Sequence, residues 1–563
     1  MRPLAQLARF ANKRSLTYAF SATKMTARIC GTRAGESQRK NEINAIKAWM
    51  TKCESDHGSF GCGTVRSRAL PARLIEIRAT IDTARLISVA SLGQAPEFVA
   101  LSYCWGLTGN LQTLSSTLAQ MEECIPISAL PLTVKQAFEM VIALGFRYLW
   151  VDALCIIQDD EVDWQREARK MGAVYSNAAL VIAAMASRAT QDGLYSKTDD
   201  ASLTNDIFHS VMLACRTMPR KQWEDFIQKD LPLLCRGWGF QERLLARRVI
   251  HFTPAELVWE CKGDVWCRCG NINKFHSTGG RINNMSAAFW HCVDNPTVDR
   301  VRPMWRECVK TFSRRSLTML HDRGFAVTGV AELLRGSSCA DLYISGLWKD
   351  ALPFDLLWRC DQSTTLQAQK QRKPSWSWVS VDCGINWPVA KDPGTMSISA
   401  ETYFESGLDG VNCKHVGADE TRGDYNPISA DQIHLQAKMV EVNVVRKADP
   451  EDEISPFWTL WDVERPGGQK LSFYPDIHLS DEETRSCVSG QDNSRTLYYL
   501  EIIIPKNGSR GWQAGLIIRK VEGSRYGEER YERIGIAGEM SRVHQEPVAS
   551  FVPAISAEKV ILI

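Results

Sequence analysis

The sequence predicts an α/β protein, with a parallel sheet flanked by helices, then a helical middle region, then a C-terminal unit built mainly of strands. Three observations carry this. Between residues 98 and 186, apolar runs of strand length alternate with amphipathic, well-punctuated helices; that alternation argues for parallel strands joined by helical crossovers, which are almost always right-handed. Beyond residue 430 the hydrophobic period becomes two: Ile433, Leu435 and Ala437 alternate, and LYYLEIIIP, AGLIIRKV and YERIGIA follow as further strand-like runs. Finally, the chain has 563 residues, whereas single hydrophobic cores stop growing near roughly 250–300 residues.

Taken in order, residues 1–40 read as a basic disordered tail. The first 35 residues hold seven Lys or Arg and no Asp or Glu, and are rich in Ser, Thr and Ala. The same composition fits a mitochondrial presequence, and Met25 offers a later start. Residues 41–97 form a helical and strand-bearing flank. In NEINAIKAWMTKC, Ile43, Ile46 and Trp49 or Met50 fall at helical spacing. Cys53, His57 and Cys62 follow, but a zinc site takes four ligands at set spacings and no partner pair stands nearby, so no metal is expected and the segment reads as a cap over the core. Leu74 to Ile77 then forms a short strand after Pro71.

Residues 98–250 carry the regular domain. FVALSYCW is a strand stopped by Gly106. In PLTVKQAFEMVIALGF, Thr133 caps a helix and Gln136 completes a capping box; Val134, Phe138, Val141 and Leu144 line one face and Gly145 ends it. Tyr148 to Ile157 is a nearly continuous apolar run, the pattern of a strand buried on both faces. Asp160 to Asp163 caps the next helix, on which Trp164, Ala168, Met171 and Tyr175 share a face, and Ala178 to Ala186 is a third buried run. Gln241 to Arg248 reads as helix and Val249 to Phe252 as strand. Residues 251–404 form a mixed, largely helical flank expected to pack on this domain, with helix over 303–335 and Trp376 and Trp378 in PSWSWVSVD. Residues 405–430 read as a connector and 430–563 as the β-rich domain.

Bulk composition narrows the function. Hydrophobic residues make up 44% and charged residues 23%, a globular balance. A net charge of +2 points to no general nucleic-acid partner. There is no apolar run near 18 residues and hence no membrane span, and the 18 cysteines lack an even, tight spacing, so an intracellular, soluble protein with reduced thiols is expected. No P-loop, G-x-G-x-x-G or G-x-S-x-G occurs, which leaves kinase, NTPase and lipase readings without support.

Four blocks then occur in a recognisable order: VALSYCWG, LPLTVKQAFEMVIALGFRYLWVDALCIIQDD, DWQREARKMGAVYSNA and RGWGFQERLLARRVIHF. Across about residues 98 to 243 the chain resembles the heterokaryon incompatibility (HET) domain of filamentous fungi. WMTKCESDHGSFGC, LPARLIEI, SRRSLTMLHDRGFAVTGVAE, YISGLW, PSWSWVSV and YERIGIA resemble the flanks of such proteins. One departure is Gly239, where the family more often has Thr; another is the looser cysteine–histidine spacing near Cys53. The resemblance implies an effector of fungal nonself recognition and regulated cell death, acting through protein partners or self-association. It also implies a flavodoxin-like fold similar to TIR domains, some of which cleave NAD through a glutamate. NAD is therefore the substrate the resemblance offers, with no other cofactor indicated. The expected location is cytoplasmic, or mitochondrial if the basic N-terminus directs import. An accessory protein without a death role is the remaining alternative.

In open parallel sheets, ligands bind outside the carboxyl ends of the strands. Ser102, Tyr103, Trp105 and Gly106 at one strand end, with Asp152, Gln158 and Trp164 beyond the next, are therefore the expected walls of one pocket. Glu167 is the candidate catalytic residue, three positions after Trp164; TIR enzymes carry a tryptophan and a glutamate on a similar helix. A carboxylate there would hold ribose hydroxyls and stabilise the positive charge that develops as the nicotinamide bond breaks, as carboxylates do for oxocarbenium-like transition states. The alternative is an exposed glutamate favoured by the helix dipole. Asp152, inside an apolar run, needs a partner such as an arginine, or an opening to water. Cys104 and Cys155 lack a neighbouring histidine to activate them as nucleophiles. Gln241, Glu242 and Arg243 are expected to form a hydrogen-bond cluster holding the domain to its C-terminal flank. Cys261, Cys267 and Cys269 lack a second pair and are not read as metal ligands.

Overall fold

The computed structural model describes residues 36–63, 69–78, 84–107, 110–195, 230–254, 256–270, 285–335, 343–360, 374–387, 404–406, 408–414, 432–446, 461–464, 468, 470–476, 496–505, 514–521, 529–538 and 556–563. The basic tail over 1–35 lies outside them. The chain divides into two compact units, one holding residues up to Asp294 with Phe325–Glu332, the other Asn295–Gly324 with Leu333–Ile563.

The first unit is a mixed α/β domain on an eight-stranded sheet. Its strands are β1 (Arg73–Glu76), β2 (Arg85–Ser88), β3 (Phe98–Ser102), β4 (Tyr148–Trp150), β5 (Leu180–Ala184), β6 (Arg248–Phe252), β7 (Leu257–Cys261) and β8 (Val265–Cys267), in the spatial order β2-β1-β4-β3-β5-β6-β7-β8. The central β4, β3, β5 and β6 run parallel, with Ala100 opposite Trp150 and Val181, and Ala183 opposite His251. Antiparallel pairs close both edges. Every residue of β3, β5 and β6 is buried, as strands covered on both faces require.

Helices α1 (Glu36–Asp56), α2 (Leu118–Glu123), α3 (Leu132–Leu144), α4 (Asp152–Cys155), α5 (Glu161–Asn177), α6 (Gly237–Leu244) and α7 (Met285–Asp294) belong to this unit. Asp160 caps α5, its Oδ1 accepting from the Val162 and Asp163 amides, which satisfies N-terminal donors the helix leaves open. The expected capping box on α3 is replaced. Pro131 takes the cap position, Thr133 Oγ1 accepts from the Gly193 amide at 3.0 Å and Gln136 Oε1 from Leu194 at 2.7 Å, so both side chains hold the loop after β5. The long strand expected over Tyr148–Ile157 is also corrected. It stops at Trp150, and the chain turns into α4, where the Val151 carbonyl accepts from Leu154 and Cys155; a hydrophobic run alone does not distinguish a buried strand from a buried helical turn.

The second unit holds α8 (Val298–Phe312), short hairpin strands β9 (Tyr343–Ile344) and β10 (Leu347–Trp348), α10 (Leu352–Asp355), and the paired β11 (Arg359–Cys360) and β12 (Ile385–Asn386). A helix α9 (Phe325–Arg335) begins in the first unit, so the helical stretch expected over 303–335 is broken between 313 and 324. The remaining strands are β13 (Phe404–Ser406), β14 (Leu408–Lys414), β15 (Gln432–Ala437), β16 (Met439–Arg446), β17 (Trp461–Glu464), β18 (Lys470–Pro475), β19 (Leu497–Pro505), β20 (Ala514–Lys520), β21 (Arg530–Gly538) and β22 (Glu558–Leu562). β16, β17, β18, β21, β20 and β19 pair in a closed ring, a small antiparallel barrel. Val442, Val444, Trp461, Val463, Leu471, Phe473, Leu497 and Tyr499 fill its core, at the alternate positions that strand geometry sends to one face. β13 and β14 occupy the start of the expected connector; 415–431 lies outside the described residues.

Candidate functional site

The carboxyl ends of β3 and β4 lie side by side, and the side chains emerging there meet an arginine from the chain just before α6. Ser102 ends β3 and donates its hydroxyl to Glu242 of α6. Trp105 donates its indole N–H to Asp152 Oδ2 at 2.9 Å. Arg236 joins the two carboxylates, with Nη1 2.8 Å from Glu242 Oε1 and Nη2 3.4 Å from Asp152 Oδ2. Asp152 opens α4, and its Oδ1 also accepts the Ala153 amide at 2.8 Å. Gly106 turns the chain away with φ +74°; a Cβ there would meet that of Ala189 at 2.6 Å, so glycine is required both by the left-handed backbone and by the close approach.

Burial sets the electrostatics. Glu242 is fully buried, and desolvation raises its carboxyl pKa despite the opposing guanidinium of Arg236. Arg236 is held above its ordinary value by Glu242 and Asp152, although burial works the other way. Burial and the nearby Asp152 push the Tyr103 phenol well above its usual range. Burial also pushes the Cys104 thiol up to about 11 and the Cys155 thiol up to about 12, so neither is a thiolate nucleophile near neutral pH.

The other residues singled out in the sequence stand elsewhere. Gln158 donates to the Asp152 and Ile156 carbonyls at 3.0 and 3.1 Å, bracing the loop behind Asp152. Trp164 meets Phe325 edge-on at 5.9 Å. Glu167 is not an exposed helix-start residue: it is 1% exposed, accepts the Ala72 amide at 2.9 Å through Oε2, and receives Lys170 at 3.0 Å and Arg166 at 3.3 Å through Oε1. With the Arg73–Asp163 pair, this glutamate joins the segment entering β1 to α5. The Gln241–Glu242–Arg243 triplet divides. Gln241 Oε1 accepts the Gly329 amide at 2.9 Å, Glu242 faces Ser102 and Arg236, and Arg243 grips Glu260 at 2.7 and 3.2 Å. Gly239 packs on the turn before α6, where a Cβ would approach the Leu233 carbonyl oxygen at 2.9 Å. Arg236 was missed in the sequence. Asp152 demanded a cation, and Arg236 opens the RGWGF block, but nothing in the spacing joined them.

The recess lined by Ser102, Val181, Ala183, Gly239, Arg243 and His251 holds about 10 Å³, at the lower limit for one water. A shallow cleft of about 400 Å³ lies at the amino end of β4, lined by Ile77, Arg78, Ile142, Gly145, Phe146 and Arg147. Among the described residues, two groups have the donor chemistry to hold a metal: Cys53, His57, Cys62 and Cys261, all buried, and Glu256, Cys267 and Cys269. The sequence sets metal aside for want of a nearby second pair; in the fold Cys261, the last residue of β7, comes to lie beside Cys53, His57 and Cys62. No described helix is long and apolar enough to cross a membrane.

No curated protein and no solved structure matches the chain. Residues 98–242 match the family model of the heterokaryon incompatibility protein (HET). The match begins at the first residue of β3 and ends at Glu242, so it encloses Ser102, Trp105, Asp152, Arg236 and Glu242, and the chain carries a HET domain over these residues.

Proposed function

We propose that this protein is an effector of heterokaryon incompatibility, acting in the cytoplasm, whose HET domain promotes regulated cell death through self-association or a protein partner. One observation carries the reading. The family match covers the strand ends where an open α/β sheet takes its ligand, and there Arg236 and two carboxylates occupy the crevice with one another. Charges that satisfy one another at the strand ends support a fixed recognition surface. Numbered in chain order, the four parallel strands lie 2-1-3-4, the order that opens a flavodoxin-like sheet, which supports the TIR-like reading of the domain. Inducible expression in a filamentous fungus tests the proposal. Growth arrest on induction is expected, weakened in Glu242→Gln. Normal growth with the protein present at high level overturns it and leaves the accessory reading.

A second reading, an NAD-cleaving hydrolase, draws on the same convergence of Ser102, Trp105, Asp152 and Glu242 at the strand ends. Glu167 enters it only through the helix it stands on. Incubation of the purified chain with NAD, followed for nicotinamide, separates the two. Absence of product at every oligomeric state, with growth arrest retained in Glu167→Ala, removes the enzyme.

A further inference from the structure

At the opposite end of the sheet from the Arg236 cluster, the chain gathers Cys53, His57, Cys62 and Cys261. Their ligand atoms all lie within 4.8 Å of one another, and all four residues are buried. The local fold explains how. Cys53 stands in the last turn of α1, and the His57 amide donates to its carbonyl at 3.1 Å. A single 3-10 turn follows, and Gly61, at φ 66° with its amide on the Gly58 carbonyl, reverses the chain to deliver Cys62. Cys261 ends β7, opposite Arg248 at the start of β6. His57 Nδ1 stands 3.2 Å from Cys261 Sγ.

We propose that these four residues are the Cys₃His ligands of a structural zinc ion. Zinc takes thiolate and imidazole ligands tetrahedrally, with bonds of about 2.0–2.3 Å and so ligand–ligand separations of roughly 3.5–3.8 Å; the observed cluster already brackets that span. Four protein ligands leave no open position, which marks a structural rather than a catalytic site. Binding requires the three thiols to release their protons to solvent. Three thiolates with one Zn²⁺ carry a net charge of −1, and Arg247, Arg248 and Lys262 stand nearby, Arg248 Nη1 being paired with the exposed Glu54 at 3.2 Å. Arg248 is 3% exposed, and its Nε and Nη2 have no hydrogen-bond partner among the described residues. Arg247 and Lys262 donate to the Cys62 and Gly61 carbonyls at 3.5 and 3.3 Å.

A shell around the ligands fixes their orientation, as metal sites need. The His57 ring stacks on Trp266 at 5.3 Å and meets Phe60 edge-on at 5.5 Å. A Cβ on Gly263 would press to 2.9 Å from His57 Cγ, so only glycine leaves room for the imidazole. The ion would tie α1 to the edge of the sheet, joining His57 and Cys261 across 204 positions of sequence.

The experiment measures zinc in the full-length chain purified in reducing buffer after growth with zinc, and replaces the metal with cobalt. Tightly held zinc and a tetrahedral cobalt spectrum with thiolate charge-transfer bands are expected. The metal should survive in Cys267→Ser/Cys269→Ser and be lost in Cys261→Ser. Cys261→His, which keeps four ligands, should retain it and so separates ligand loss from misfolding. A metal-free wild-type chain, cobalt bands without thiolate character, full retention in Cys261→Ser, or a disulfide among these cysteines under reducing conditions would overturn the site.

Discussion

Arg236 decides the state of the strand-end cluster. It is the cation shared by Asp152 and Glu242, and its own side chain is only 21% exposed. Removing one partner of a buried ion pair leaves an uncompensated charge and costs about 3–5 kcal/mol. Arg236→Met is therefore expected to lose about that much stability near pH 7.5. The sign of its pH dependence follows from Glu242, whose folded-state pKa is already raised by burial. A raised carboxyl pKa makes the ionised form unfavourable in the fold, so the cost is present above the folded value and fades as pH falls towards the unfolded value. Without Arg236 the pKa rises further, and the deficit relative to wild type should shrink between about pH 7.5 and pH 5. Urea unfolding of both chains across that range checks it; a deficit that is constant or grows on acidification contradicts the assignment. Glu167 teaches the complementary lesson. A glutamate at a helix start is usually a solvated group favoured by the dipole, yet here it accepts a backbone amide and two cations in a buried network.

At the scale of elements, α5, α6 and the start of α9 meet through glycine. A Cβ on Gly172 would lie 2.7 Å from Gly329 Cα, and one on Gly329 would lie 2.6 Å from Gln241 Oε1. In an open helix, Gly→Ala gains up to about 1 kcal/mol from backbone entropy. Here overpacking, which costs about 1–3 kcal/mol, should reverse that sign. Gly329→Ala is expected to lower the thermal midpoint, while Gly93→Ala, with nothing within 4 Å of its added methyl, should leave it unchanged. An unchanged or raised midpoint in Gly329→Ala would show that the helices separate freely. The elements also show what the sequence could disclose. β3, β5 and the Asp160-capped α5 were legible because their signals are local: buried apolar runs, and a cap beside its own helix. β4 was drawn too long, since Val151 to Ile157 remains apolar after the backbone has turned. The Thr133–Gln136 pair was misassigned because its partners, Gly193 and Leu194, lie about sixty positions away.

Across the whole chain, further features that escaped the sequence are closed by distant residues. Arg236 reaches Asp152 over 84 positions, and Cys261 completes a ligand set begun at Cys53; spacing rules see only neighbours, so both constellations read as incomplete. The barrel was legible as alternating strands, but not its closure, which depends on β20 pairing with both β19 and β21. Arg533 shows how that barrel is joined to the segment before it within the second unit. Fully buried on β21, it donates to Asp476 at 2.6 and 3.1 Å and to the Leu356 and Trp358 carbonyls, and lies 3.4 Å over the Trp358 ring. Burial raises the pKa of Asp476, opposed by Arg533. A planar fork is needed to serve these acceptors together, which an ammonium cannot match. Arg533→Met should therefore cost about 3–5 kcal/mol, whereas the double variant Arg533→Met/Asp476→Leu, which removes both charges, should recover most of it. Because a chain of two units need not unfold in one step, hydrogen exchange of peptides from β18 and β21 is the fitting measurement. Protection lost in the single variant and regained in the double one is the expected result; equal protection in wild type and Arg533→Met would mean that the barrel holds without this anchor.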